Sequence, residues 1–422
     1  MNRVLIITYY WPPGAGAGVQ RWLKFSKYLP LYGWEPLILT VDPSFAQYPA
    51  SDKALLDDIP AELKIYRTPA RNYFRLAGKD KSKIPSAGFA NEEKKGFLQW
   101  LMRFARGNFF IPDPRRGWNG YAFREACRLI ETEKIERVIT SSPPHSTQLI
   151  GLRLKKRYPN IRWIADLRDP WTDIYYYKEF LHTIPARLLD RHYERTVLRK
   201  SDRIITVGDR LKIMLASKVK GIESKIYVLT NGFDEDDFAN IISVEPEIFT
   251  VSYIGTLSPA YPVEGLAKAV RKIIDSGREI RVKFVGTIAP VQKELLLKHI
   301  PEQNMEFIPY VSHPEAVRHM AGSSALLLII PDHPGNKCIL TGKLFEYIAS
   351  GRPVLCLGPA DGDVALILEV SGAGITTGYH NPDTISKKIK EIAEERIKTS
   401  SEKTSVFSRK ILTEKIPEIL KF

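Results

Sequence analysis

Short runs of β-branched and aliphatic residues recur along this chain with amphipathic stretches of helical spacing between them, and few folds are compatible with that alternation. The runs "RVLIITYY", "PLILTV", "LKIYRT", "RVITSS", "RWIADLRD" and "RIITVG" are separated by segments such as "VQRWLKFSKYL" and "ARLLDRHYERTVLRK". This is the α/β signature of a doubly wound parallel sheet. After "KIYVLTNGFDEDDF" a second series begins with "FTVSYIG", "RVKFVG", "MEFIPY", "ALLLII" and "RPVLCLG". Two Rossmann-like domains in tandem are therefore expected, over 1–235 and 236–404. The last piece, "SVFSRKILTEKIPEILKF", has helical spacing and no partner strand, so a helix over about 405–422 is expected to pack back across the seam. Ligands of open parallel sheets lie at the carboxyl ends of the strands, here in a cleft between the domains.

A length of 422 residues suits two or three domains. No apolar stretch reaches membrane-spanning length, and the N-terminus lacks the pattern of a secretory signal, so a cytoplasmic protein is expected. Cys127, Cys338 and Cys356 are scattered and odd in number, which fits free thiols better than disulfides or a zinc site. The net charge of +14 calls for an anionic partner: nucleic acid, an acidic membrane surface or phosphorylated small molecules. No RNP, KH or helix-turn-helix pattern supports nucleic acid. From about Arg71 to Arg116, Lys and Arg alternate with Phe, Trp, Leu and Met, a mixture found in segments that lie on anionic membranes and also in solvated surface helices.

The opening "MNRVLIITYYWPPGAGAGVQRWLKF" places a glycine loop between strand and helix. In a dinucleotide fingerprint the glycines directly follow the strand, whereas here Tyr9 to Pro13 intervene, and Val19 stands at the third glycine position. Asp42, closing the next strand, is placed to hold a ribose and keeps a nicotinamide site open as an alternative. The preferred reading has Gly14, Gly16, Gly18 and Arg21 giving an acceptor or a donor phosphate close access to backbone and helix N-terminus.

In "TGKLFEYIASGRPVL", Thr341 and Gly342 sit where a helix begins, Lys343 adds a cation, and Glu346 lies one turn in. Such a helix start favours a diphosphate, and the carboxylate suits ribose hydroxyls. "TSSPPHS" puts His145 at a strand end, and "ADLRDPW" does the same for Asp166, Arg168, Asp169 and Trp171. "DEDD" at Asp234 to Asp237 is read as a solvated N-capping turn, and no metal is assigned.

Taken together, "PPGAGAGVQRW", "DLRDPW", "SDRIITVG", "LTNGFD", "YIGTL" and "TGKLFEYIASGRPVL" make the chain resemble, over nearly its whole length, the family 4 glycosyltransferases of the GT-B fold. These are retaining enzymes that use nucleotide-sugar donors. The resemblance implies donor contacts from Gly255, Thr256, Asn231, Thr341, Gly342, Lys343 and Glu346, and Lys343, Lys337, Arg210 and Arg21 are the cations this chain has available for the diphosphate where the family's own are missing. Together with the strand-end position, the resemblance makes His145 a catalytic residue near the transferred sugar and the acceptor, where a structural histidine is the alternative. Asp169, by its place in "ADLRDPW", is read as the catalytic acceptor-side base or hydroxyl anchor, or else as half of a buried Asp–Arg pair that fixes the loop. Two departures stand out. The family's first glutamate, eight residues before Glu346, is Cys338 here, and its usual Arg and Lys after the "YIG" turn are replaced near Thr256 and Tyr261.

The expected reaction moves a sugar from a nucleotide-diphosphate sugar to an acceptor hydroxyl, with retention and with no cofactor. A saccharide or lipid-linked acceptor at the inner face of the membrane is expected, and no nucleic acid. Rival readings are a nucleotide-sugar epimerase, a non-catalytic nucleotide-sugar-binding protein and a nicotinamide oxidoreductase.

Overall fold

A computed structural model describes residues 1–48, 51–71, 73, 97–239, 241, 244–394 and 401–422, and the chain divides into two compact units. The first comprises Met1–Thr230 with Leu412–Phe422, and the second Asn231–Ile411.

In chain order the first unit contains β1 (Asn2–Thr8), α1 (Ala17–Tyr28), β2 (Trp34–Val41), β3 (Lys64–Thr68), α2 (Phe97–Phe109), α3 (Asn119–Thr132) and β4 (Arg137–Ser142). It continues with α4 (Gln148–Arg157), β5 (Arg162–Leu167), α5 (Ile184–Lys200), β6 (Arg203–Thr206), α6 (Asp209–Lys218) and β7 (Ile226–Val228). The strands form one sheet of order β3-β2-β1-β4-β5-β6-β7, with every adjacent pair parallel. Successive residues of a strand point to opposite faces, and both faces are covered, which is why the runs are continuously aliphatic. Val4 and Ile6 pack with Trp22, Leu23, Ile38 and Ile164 on one face. Leu5 and Ile7 pack with Leu37, Leu39, Ala126 and Leu154 on the other.

The second unit repeats the winding with β8 (Thr250–Ile254), α7 (Glu264–Asp275), β9 (Arg281–Val285), α8 (Pro290–His299), β10 (Met305–Ile308), α9 (His313–Ala321) and β11 (Ala325–Ile329). It closes with α10 (Gly342–Ala349), β12 (Val354–Leu357), α11 (Asp363–Ser371), β13 (Gly374–Thr377) and α12 (Pro382–Ala393). Its parallel sheet has the order β10-β9-β8-β11-β12-β13. In both sheets the strand order reverses beside the first strand, at β1/β4 and at β8/β11, and such switch points open a crevice at the strand ends.

The chain ends differently from the single helix read in the sequence. It forms three short helices, α13 (Ser401–Ser405), α14 (Arg409–Thr413) and α15 (Ile416–Leu420). Extended pairing interrupts the first two, as Phe233 N–H donates to the Phe407 carbonyl (3.1 Å) and Arg409 N–H to the Phe233 carbonyl (2.7 Å). Pro417 prevents α14 from continuing, because its ring would meet the carbonyl four residues back. Ile416, Ile419 and Leu420 of α15 join the core of the first unit.

Candidate functional sites at the strand ends

In the first unit each glycine of the opening loop has its own structural reason. Gly14 passes so close to Trp11 and Tyr48 that an added Cβ would lie 3.1 Å from both. Gly16 caps α1 with φ +99°, a conformation that favours glycine. Gly18 lets the helix start approach Arg168, whose Nη2 would be 3.3 Å from a Cβ there. Asp42 is committed to its own turn, accepting from the Ser44 N–H (2.9 Å) and hydroxyl.

Arg21 turns inward. Its guanidinium meets Asp166 at 3.0 and 3.3 Å and also donates to the Thr230 carbonyl (3.1 Å), with both charged side chains fully buried. Trp22 Nε1 and Ser141 Oγ each donate to Asp166 at 2.7 Å. These bonds fill the carboxylate and fix α1 to the ends of β4 and β5. Removing one partner of such a buried pair typically costs about 3–5 kcal/mol, because the other charge is left uncompensated. The sequence reading gave Arg21 a phosphate; the structure gives it Asp166.

Asp169, just beyond β5, is half-buried and makes no hydrogen bond or ion pair among the described residues. Burial pushes its carboxyl above the usual range, against the opposing pull of the Arg168 cation. Arg168 is itself fixed, donating through Nε to the Ser142 carbonyl (3.0 Å). His145 opens the turn after β4 and stacks on Trp171, with ring centroids 4.9 Å apart and planes 10° apart. Burial pulls its imidazole down to about 3, opposed by a hydrogen bond to the Pro170 backbone, so the ring is neutral at ordinary pH. Its Nδ1 is buried without a hydrogen-bond partner. Trp171 is held in turn by Asp190 of α5, which accepts from the indole N–H (2.8 Å) and from the Tyr177 hydroxyl (2.9 Å). Nothing in the sequence marked Asp190, which reads as one more charge on an amphipathic helix.

In the second unit β8 is followed directly by Gly255, where φ is +126°. A Cβ at that position would lie 2.4 Å from both Cε and Nζ of Lys343, so glycine here makes room for the lysine. The Lys343 ammonium donates to the Tyr253 hydroxyl (2.9 Å) and lies over the Tyr253 ring, 4.3 Å from its centroid. Tyr253 Oη donates onward to the Thr256 carbonyl (2.8 Å). Burial lowers the basicity of Lys343, while Tyr261 and Glu346 support its charge. Tyr347 anchors α10 to β8, its hydroxyl accepting from the Ile254 N–H at 2.9 Å. Thr341 occupies the N-cap of α10 without making a capping bond, and its Oγ1 is buried without a partner. Glu346, one turn in, is half-buried, and its carboxylate makes no hydrogen bond or ion pair among the described residues. Gly255, Thr256, Thr341, Gly342, Lys343 and Glu346 thus gather where β8 ends and α10 begins. Tyr253, which positions the lysine, looks in the sequence like an ordinary buried strand residue.

The other expected residues have contacts or places of their own. Lys337 pairs at the surface with Asp361 (2.5 Å), and the buried Cys338 thiol faces the Gly335 carbonyl (3.2 Å). The Asn231 carbonyl accepts from Arg409 Nε (3.0 Å), while Arg210 lies in the first turn of α6, in the first unit. Asp234 caps the acidic turn by accepting from the Asp236 N–H, and it is buried where a solvated position was expected. Among the described residues no group of three or more His, Cys, Asp or Glu is arranged to hold a metal ion.

No family profile and no curated protein matches the chain. Solved structures share its fold end to end. HepE of Anabaena, in complex with UDP and glucose, is 14% identical with a TM-score of 0.61, over 100% of this chain and 99% of that one. Sucrose-phosphate synthase from Thermosynechococcus elongatus is 12% identical with a TM-score of 0.63, over 99% and 98%. A putative UDP-N-acetylglucosamine 2-epimerase from Listeria monocytogenes is 12% identical with a TM-score of 0.56, over 98% and 94%. What the chain has in common with them is the GT-B fold class, two Rossmann-like α/β domains with parallel sheets.

Proposed function

We propose that this protein is a glycosyltransferase that moves a hexosyl-type sugar from a nucleotide-diphosphate sugar to an acceptor hydroxyl, with retention at the anomeric carbon, in bacterial cell-surface polysaccharide or glycolipid synthesis. The observation that carries this reading is the cradle at the end of β8. A helix N-terminus with a partnerless Thr341 hydroxyl, a lysine supported by Tyr253 and an uncommitted Glu346 together suit a nucleoside diphosphate. In this reading the Gly342 N–H, the helix dipole and Lys343 stabilise the departing diphosphate, and Glu346 accepts hydroxyl hydrogen bonds from the ribose. Cys338, in place of a carboxylate, alters sugar recognition. His145, kept neutral, serves the transferred sugar and the acceptor as a hydrogen-bonding group, and Asp169 is the acceptor-side base or hydroxyl anchor.

HepE and sucrose-phosphate synthase, both of the same fold, support a transferase, and the family 4 resemblance supports retention. The helix start and lysine neutralise the leaving group, so no divalent cation and no cofactor is needed. The protein works in the cytoplasm, at the inner face of the membrane, on a saccharide or lipid-linked acceptor, and its membrane contact falls in the stretch from about Arg71 to Arg116. Of that stretch, residues 72 and 74–96, with Lys94 and Lys95, lie outside the described residues.

The test is a thermal-shift screen of nucleotide sugars, followed by turnover of the best ligand with membrane extract as acceptor. Transfer that survives EDTA, giving a product whose anomeric configuration by NMR matches that of the donor, is expected. Isomerisation of the sugar without acceptor would make the protein an epimerase, and tight binding without turnover would make it a binding protein.

A further inference from the structure

Helix α2 and the exposed side of α5 form one surface of the first unit, outside the strand-end groups described above. The end of α2 is fastened to the start of α5, with Asn108 Nδ2 donating to the Leu181 carbonyl (3.1 Å) and Asn108 Oδ1 accepting from the Thr183 N–H (2.8 Å). Gly107 lies so close beneath the Phe180 carbonyl that a Cβ would come within 2.0 Å of it. On the outer side, Phe97, Trp100 and Leu101 of α2 are 79%, 49% and 45% exposed, Phe109 is 70% exposed, and Ile184 and Leu188 of α5 are 65% and 60% exposed. A single exposed apolar side chain needs no explanation, but a run of them across two fastened helices marks an interaction surface.

The same side of α5 then continues as Arg187, Arg191, Arg195 and Arg199, four residues apart along one face. All four are exposed, and no side chain among them makes a hydrogen bond or ion pair among the described residues. Like charges at this spacing repel, so the helix itself gains nothing from them. An outside anion explains them. Three described arginines of the 71–116 stretch are turned to other uses: Arg106 packs over the Phe180 ring (4.1 Å to the centroid), Arg103 is half-buried and Arg115 is buried.

We infer that this surface docks on an anionic lipid bilayer, with the apolar side chains of α2 and the start of α5 entering the headgroup region and the α5 arginines on lipid phosphates. Apolar and aromatic groups bordered by a basic stripe are what such an interface requires, whereas a nucleic acid uses the cations and has no need of Ile184 and Leu188. A second copy would bring one arginine stripe against another. The inference rests on the membrane location proposed above, not on the transfer chemistry, and it moves the cationic part of the contact to α5.

Co-sedimentation with vesicles of phosphatidylglycerol and phosphatidylcholine, or of phosphatidylcholine alone, at about 0.1 M and about 1 M salt tests it. The variants are Arg191→Glu with Arg195→Glu, Ile184→Ser with Leu188→Ser, and Lys94→Glu with Lys95→Glu, each checked by circular dichroism and by UDP titration. Binding of the wild type to anionic vesicles that falls with salt and drops at least tenfold in both α5 variants, with UDP affinity unchanged, is expected. Equal binding to neutral vesicles, or wild-type binding by the α5 variants, would overturn it. Loss of binding only in the Lys94/Lys95 variant would overturn the α5 assignment and leave the membrane location standing. Self-association of the wild type that the Leu188 variant abolishes, or single-stranded RNA binding that the arginine variant abolishes, would replace the bilayer with that partner.

Discussion

His145 illustrates how burial decides what a side chain can do. Its folded-state value of about 3 lies well below the ordinary histidine value, so the unfolded chain takes up a proton that the native protein refuses. The stability this contributes is complete above the unfolded value of about 6.5 and is lost as the pH falls from there toward 3. Between pH 7 and 8 the ring does not titrate, and a limb of the pH–rate profile in that range must belong to another group. His145→Ala is expected to lower kcat far more than donor affinity, since a group at the reacting centre acts in the transition state. Steady-state kinetics beside a donor titration checks this, and a wild-type kcat would make the residue structural. At this scale the sequence was legible for placement: Glu346 lies one turn into its helix and Asp169 just beyond its strand, as the local pattern predicts. It was not legible where charges consume one another, because Arg21 and Asp166 are 145 residues apart and only the folded sheet brings them together.

At the scale of elements, the decisive contact is the meeting of the β8 turn with α10. Gly255→Ala is expected to displace Lys343, because the new Cβ would overlap its Cε and Nζ at a backbone angle that disfavours side chains. Donor affinity should fall several-fold while far-UV circular dichroism stays native, and a calorimetric titration of the variant reads both the loss and its absence. Unchanged affinity would mean that Lys343 plays no part in the site. Strands such as β1, β4, β8 and β11 were evident as aliphatic runs because both their faces are buried. β7 and β13 escaped notice for the opposite reason: "IYV" and "GITT" are short edge strands with half-buried side chains, and they lack the apolar pattern. The C-terminal segment kept helical spacing across breaks made by tertiary pairing with Phe233 and by Pro417, which periodicity does not register.

For the whole molecule, two similar sheets with the same winding set a switch point in each unit, and the candidate residues gather at those two edges. That repetition was readable from the order of runs alone, since consecutive parallel strands demand crossover helices. The destination of the +14 charge was not, because surface arginines of α5 and inward arginines of α2 look alike in a sequence. The identity of the ligand at the β8 edge carries the functional account, and Glu346 decides it. If its carboxylate holds ribose hydroxyls, each lost charge-assisted hydrogen bond costs about 1.5–3 kcal/mol, and about 1.4 kcal/mol is a tenfold change in affinity. The direct measurement is a calorimetric titration of wild type and Glu346→Ala with UDP and the nucleotide sugar chosen by thermal shift. A Kd at least tenfold higher in a correctly folded variant is expected, and equal Kd values would contradict the assignment of this cradle to a nucleotide sugar.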